Sequence, residues 1–256
     1  MGADSGDAGS ALLRGLALIE RLAGADRALS LADLAEAVAL PKPTVHRIAR
    51  QLTEHGYLVQ EPGDRRYAPA ARMRALALAT LRSAAQRAHQ HLILEQLVAD
   101  VGETCNLTLH DGSEVVYIDR VESHWPLQMT LRPGSRVPLH CTASGKLYLA
   151  LLPARARRRL LASLPLPRHT PRTITDVNAL ESELDRIREA RAGTDDQEFI
   201  EGLVAAAVPV VDRTGQVIAA VAMHGPIGRL SLDRALAAVP RLRQAAADLT
   251  TALAAD

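Results

Sequence analysis

Five side chains on one short stretch, Thr44, His46, Arg47, Arg50 and Gln51, are of the types that hydrogen-bond to base edges and pair with phosphates. Their spacing puts them on the outward face of a helix. Its opposite face carries Val45, Ile48, Ala49 and Leu52 at i, i+3, i+4 and i+7. Arg65 and Arg66 follow a Pro62-Gly63 pair suited to the centre of a type II turn, which makes them cations at the tip of a hairpin. Glu54, Glu61 and Asp64 offset much of this positive charge, so tight binding to DNA needs two copies of the unit. A second chemistry-bearing segment is Ala143-Ser144-Gly145. Small residues at a helix start let a ligand reach the backbone, and the free N–H groups and helix dipole there favour an anion. His140-Cys141 sets a thiol beside a base. On a strand, adjacent side chains point to opposite faces, so no catalytic pair is expected. His89, His91, His110 and His140 lack metal-ligand spacing, and His89 and His91, two apart, fall on different helix faces; no metal site and no cofactor are expected.

The elements needed to position these groups can be read from hydrophobic period and punctuation. A first helix carries Leu12, Leu16, Ile19 and Ala23 on one stripe and stops at residues 24–26. Ser30 with Asp33 predicts a capped second helix over 31–38, and Leu40-Pro41 a turn. The third helix is predicted over 43–55, with Pro43 in its first turn and Gly56 at its end. Strands over 57–60 and 65–68 complete three helices and a hairpin, the outline of a winged helix-turn-helix. Near-continuous helix follows over 70–101, weakened around Ser83. Strands are predicted over 104–110, 115–121, 127–131, 204–211 and 216–223, and helices over 143–152, 154–163, 178–192 and 232–254. Hairpins mixed with flanking helices indicate an α+β domain. The expected organisation is a disordered tip over 1–10, a winged helix-turn-helix over 11–69, a linker helix over 70–85 and a second domain over 86–256.

Bulk composition narrows the classes. With 256 residues, 48% hydrophobic, 23% charged and a formal net charge of +1, the chain buries a real core and has no broadly basic surface. Two cysteines, Cys105 and Cys141, without CxxC spacing exclude a disulfide framework and a zinc finger and fit a reducing cytoplasm. The first ten residues lack a signal-peptide pattern, and no apolar run is long enough to span a membrane; the expectation is a soluble cytoplasmic protein with no membrane partner.

Residues 29–35 (LSLADLA), 40–47 (LPKPTVHR) and 56–58 (GYL) together resemble the DNA-binding domain of the IclR family of bacterial regulators. The resemblance continues through Gly102-Glu103-Thr104, residues 116–122 and 138–146, Thr173-Ile174-Thr175-Asp176, residues 195–202 and His224-Gly225-Pro226. It implies that Thr44, His46, Arg47 and Arg50 face DNA, with Lys42, Arg65 and Arg66 on phosphates. Pro43 stands where the family more usually has Ser or Thr, which removes one phosphate contact. The resemblance further implies a GAF-like sensor domain for small organic acids, with an effector pocket on Ala143, Ser144, Asp195, Ala205, Ala222 and His224. Ala205 replaces a common cysteine, and Ala222 and His224 replace serines. The pocket is expected to lose polar contacts and gain room, with an imidazole able to carry a proton to a carboxylate. That points to an effector larger and more apolar than a two- or three-carbon acid, such as an aromatic carboxylate. Arg191-Ala192 stands where the family has Gly-Tyr, so the following strand is expected to be entered differently.

The resulting expectation is a ligand-responsive transcription regulator of a catabolic operon, not an enzyme. Met73, Leu76, Ala77 and Leu81 form an apolar stripe for a homodimer, and the resemblance implies a dimer of dimers on a partly palindromic operator in double-stranded DNA. The alternatives are an enzyme or a ligand-independent DNA-architectural protein.

Overall fold

The computed structural model describes residues 11–25, 27–61, 65–81, 84–125 and 131–254, divided into two compact units at Thr80/Leu81. In the first, α1 (Ala11–Ala23), α2 (Leu31–Ala37) and α3 (Lys42–Glu54) precede the paired strands β1 (Leu58–Gln60) and β2 (Tyr67–Pro69), with α4 (Ala71–Leu81) after them. Leu18, Leu22, Leu34, Val45, Ile48, Ala49, Leu58 and Tyr67 close its core. The helix starts and stops have local causes. Ser30 Oγ accepts the Asp33 amide at 3.2 Å while Asp33 Oδ2 accepts the Ser30 amide at 3.1 Å, a reciprocal cap for α2. Gly56, at φ +74°, ends α3 and turns the chain into β1. The antiparallel register pairs Leu58 with Pro69 and Gln60 with Tyr67, and Leu29 adds a bridge to Tyr67. The expected turn at Pro62-Gly63 lies outside the described residues.

In the second unit, α5 (Ala84–Val101) precedes β3 (Thr104–Asp111), β4 (Glu114–Val121) and β5 (Arg136–Pro138). Then come α6 (Ala143–Leu151), α7 (Ala154–Leu161), α8 (Val177–Ala190) and β6 (Gly193–Asp196). The chain finishes with β7 (Leu203–Val211), β8 (Val217–Pro226), α9 (Leu232–Ala237) and α10 (Val239–Ala254). The six strands form one antiparallel sheet in the order β5-β4-β3-β8-β7-β6. α6 and α8 cover one face, and α5, α9 and α10 the other. With both faces covered, β7 and β8 read as near-continuous apolar runs instead of alternating. The alanines of these strands keep the surface under α6 low, so that the helix lies close.

Several predicted boundaries move. The helix over 70–101 is two helices, with residues 82 and 83 outside the described set, and the linker expected over 70–85 is shared between the two units. The strand expected over 127–131 falls on undescribed residues up to 130, and Leu131 is in no strand. β5 and β6, three and four residues long, carry too little pattern to be seen in the sequence. The tail helix over 232–254 breaks at Ala238, because Pro240 cannot continue it and instead opens α10. Arg191 takes φ +47°, the left-handed stop that glycine adopts freely, so α8 still ends in a sharp turn into β6. No helix among the described residues is long and apolar enough to cross a membrane.

Candidate functional site

Two regions carry the chemistry. On α3, Lys42, His46, Arg47 and Arg50 are exposed and Thr44 half-buried, and Val45, Ile48 and Ala49 hold the opposite face in the core. α3 begins at Lys42 without a side-chain cap or an acidic residue in its first turn, which leaves that end positive. Arg50 lies 3.6 Å from Glu54 one turn on, an exposed pair that constrains it little. Arg65 is exposed, with a left-handed φ of +48°. Arg66, expected on a phosphate, is half-buried: Nη1 donates to the Ala28 carbonyl at 3.4 Å and lies 3.6 Å from Asp33. It braces the hairpin against the start of α2.

The second region is a cavity at the N-terminus of α6. All six residues expected there, Ala143, Ser144, Asp195, Ala205, Ala222 and His224, line it. The sheet register explains how segments eighty residues apart meet. Asp195 on β6 faces Ala205 on β7, which faces His224 on β8, so the three form one row across the sheet. Ala222 pairs with Asn106 of β3, which brings in an amide that the sequence reading missed. Tyr117, Thr142, Phe199 and Met223 also line the cavity. The signal for Asn106 is the strand order, which a single sequence does not display.

The α6 end is built to stay open. Thr142 Oγ1 accepts the Gly145 amide at 3.2 Å and the Thr142 carbonyl accepts that of Lys146, which leaves the Ala143 and Ser144 amides pointing forward. Asp195 Oδ1 accepts the Glu198 and Phe199 amides at 2.7 and 3.4 Å, leaving Oδ2 for the cavity. Burial pushes its carboxyl up to about 7, with the Glu198 charge adding to the shift. Glu198 is also pushed up by burial, against the pull of Lys146. Lys146 is fully buried one turn into α6 and bridges Glu198 to Glu183, at 3.3 Å from the latter.

His224 is not the proton carrier expected. Its Nε2 lies 3.4 Å from an Arg120 nitrogen and its Nδ1 3.2 Å from the Asn106 amide. Burial, reinforced by the Arg120 charge, lowers it to about 3, so the imidazole is neutral at physiological pH. A guanidinium only donates, so Nε2 accepts and Nδ1 holds the hydrogen. Turned so that Oδ1 meets this N–H, the Asn106 amide satisfies an oxygen otherwise lacking a partner. The cavity is about 20 Å³, room for one water and not for an aromatic ring. The space expected from the small side chains is taken up by Phe199, Leu203 and Met223.

His140 and Cys141 also depart from expectation. They lie in the bend between β5 and α6 instead of on a strand, and the opposite-faces argument does not apply to them. A His140 nitrogen, the Cys141 sulfur and a nitrogen of His169 all lie within 4.8 Å of one another. Burial pushes the Cys141 thiol up, the opposite of what a nucleophile needs.

Known proteins resemble this chain over nearly its whole length. The profile of the IclR helix-turn-helix domain matches residues 11–62, and that of the bacterial transcriptional regulator IclR C-terminal domain matches residues 78–251. SauR of Cupriavidus necator, described as a probable transcriptional regulator, is 48% identical over 245 residues, 96% of this chain and 97% of its own length. Among solved structures, Thermotoga maritima IclR superposes with a TM-score of 0.62 at 28% identity, covering 93% of this chain and 96% of that one. An IclR homolog from Microbacterium hydrocarbonoxydans, complexed with 4-hydroxybenzoate, gives a TM-score of 0.60 at 28% identity, covering 96% and 100%. An N-terminal helix-turn-helix, a GAF-like α+β second domain and matches of this extent lead to one conclusion: the chain belongs to the IclR family of transcriptional regulators.

Proposed function

We propose that this regulator binds a partly palindromic operator through α3 and releases or engages it when a small organic acid enters the cavity at the start of α6. The reading assigns residues 11–69 to DNA, 70–85 to the linker and 86–256 to effector binding and assembly. Lys42, Thr44, His46, Arg47, Arg50, Arg65 and Arg66 meet the duplex, Arg66 from beside Ala28 and Asp33. Leu12, Leu13 and Leu16 on α1 and Leu76 on α4 are exposed in the single chain and supply apolar surface for a homodimer, which the reading extends to a dimer of dimers. Control of a catabolic operon from the cytoplasm is part of the same proposal.

The observation that carries the effector assignment is the convergence of all six expected residues on one cavity at an open helix N-terminus. The forward amides of Ala143 and Ser144 suit a carboxylate. With its carboxyl near 7, Asp195 donates a hydrogen bond to that carboxylate when protonated and repels it when ionised. At about 20 Å³ the cavity holds one water, so an acid enters it only as the lining side chains move apart. The Microbacterium homolog, with its bound 4-hydroxybenzoate, makes an aromatic acid the other arm of the same screen.

Two measurements test the halves separately. Operator fragments selected from genomic DNA should bind Arg47→Ala more weakly by at least about fivefold, the lower end of what one base or phosphate contact contributes. Fold and oligomeric state should be unaltered, and unchanged affinity would remove α3 as the reading helix. A ligand that raises the Tm in a panel of small carboxylates should lose affinity as pH rises through about 7 in the wild type. Asp195→Asn, which keeps a donor at every pH, should flatten that profile; a profile identical to wild type would take Asp195 out of effector recognition.

A further inference from the structure

We propose that His140, Cys141 and His169 form a binding site for a thiophilic divalent transition ion of the zinc type, beside the effector cavity. The three come from two segments: His140 and Cys141 from the bend that leads into α6, and His169 from the stretch connecting α7 to α8. Their ligand atoms lie within 4.8 Å of one another, and the two imidazole rings are 5.7 Å apart at 38°. Around a tetrahedral ion with bonds of about 2.0–2.3 Å, ligand atoms sit roughly 3.3–3.6 Å apart. The approach still required is at most about 1.5 Å, and the exposed His169 side chain has the freedom to contribute to it.

The surroundings fit ligand roles. The Pro167 carbonyl, 2.9 Å from His140 Nε2, can only accept, so Nε2 carries the hydrogen and Nδ1 presents a lone pair. Ligand histidines are commonly oriented in this way. The backbone carrying His169 is fixed independently: Thr173 Oγ1 accepts the His169 and Thr170 amides at 3.0 and 2.8 Å and donates to the Glu198 carbonyl at 2.6 Å. Two imidazoles and one thiolate select zinc-like ions over magnesium or calcium. On binding, the S–H bond breaks and the S–metal bond forms, the proton passing to solvent. Three protein ligands leave a fourth position open.

Cys141 precedes Thr142, the cap of α6, so the ion would tie the start of the effector site to the segment leading into α8. That coupling rests on the effector reading above; binding of the ion does not.

Co²⁺ titrated into the metal-free full-length protein is the test. One ion per chain is expected, with a thiolate-to-cobalt charge-transfer band and tetrahedral visible bands that Zn²⁺ abolishes. His169→Ala, an exposed substitution that leaves the core untouched, should lose at least about tenfold in affinity, and Cys141→Ser should lose the charge-transfer band. His89→Ala serves as the control and should keep both. A wild type without a thiolate band, or a His169→Ala protein with unchanged affinity and spectrum, would overturn the site.

Discussion

Replacing Lys146 with methionine is expected to destabilise the second unit by about 3–5 kcal/mol, the range for removing one partner of a buried ion pair. Lys146 is fully buried and is shared by Glu183 and Glu198, whose side chains are 15% and 9% exposed. Methionine matches much of the lysine stem, so the loss reports the charge more than the volume. Glu198 then loses its cation, while Glu183 keeps only Arg186 at 2.6 Å. Burial holds the Glu198 carboxyl above its ordinary value and loss of the lysine raises it further, so the folded variant holds more protons and loses stability as pH rises. The deficit in urea unfolding should be largest at about pH 8 and shrink toward about pH 5. Adding Glu198→Gln should restore part of it, since the amide needs no counter-charge. The effect reaches the cavity because the Glu198 amide is held by Asp195. A Lys146→Met protein within about 1 kcal/mol of wild type at both pH values would mean that the charges are far better solvated than their burial indicates.

The parts of this molecule that were legible in its sequence are those written in local pattern. Ser30 with Asp33, Gly56 after α3 and the stripe Val45, Ile48, Ala49 each specify their element through neighbours three or four residues away. The parts that were not legible depend on pairing across the sheet. β6 reads Gly-Thr-Asp-Asp, with neither β-branched alternation nor length, and is a strand because β7 supplies its partner. In β7 and β8 both faces are buried, so no polar alternation marks the side that α6 covers.

The same distinction governs the site. The six cavity residues are expected by resemblance, and the sheet register accounts for the meeting of the four on strands, Asp195, Ala205, Ala222 and His224. The charge state of His224 follows first from its burial and then from Arg120 on β4, two strands away, and both are fixed only by the sheet in three dimensions. The grouping of His140 and Cys141 with His169 was likewise out of reach: twenty-eight residues separate the histidines, and a strand was assumed where the chain bends.

Gly193→Ala is expected to be severely damaging to the second unit for the addition of one methyl group. A Cβ on Gly193 would stand 2.2 Å from the Ala143 carbonyl oxygen and 3.0 Å from the Leu147 side chain. The first contact is with backbone in the opening turn of α6, which cannot rotate away as a side-chain end can. Either α6 lifts off the sheet or β6 leaves β7, and both carry cavity residues: Ala143 and Ser144 on one, Asp195 on the other. Overpacking of this kind costs about 1–3 kcal/mol and more where backbone must move, so a loss of about 3 kcal/mol is expected, or roughly 6–12 °C in Tm for a unit of this size. Gly228→Ala is the matched control: nothing lies within 4 Å of its Cβ position, and its stability should stay within about 0.5 kcal/mol of wild type. Effector binding separates the two ways of failing. If the sheet holds and α6 shifts, the protein remains folded near its reduced Tm but shows no ligand-induced stabilisation, because the amides that face the cavity have moved with the helix. If Gly193→Ala instead binds effector and melts like wild type, α6 does not rest on β6 as closely as a glycine there requires, and the cavity cannot be the rigid anion site that its geometry describes.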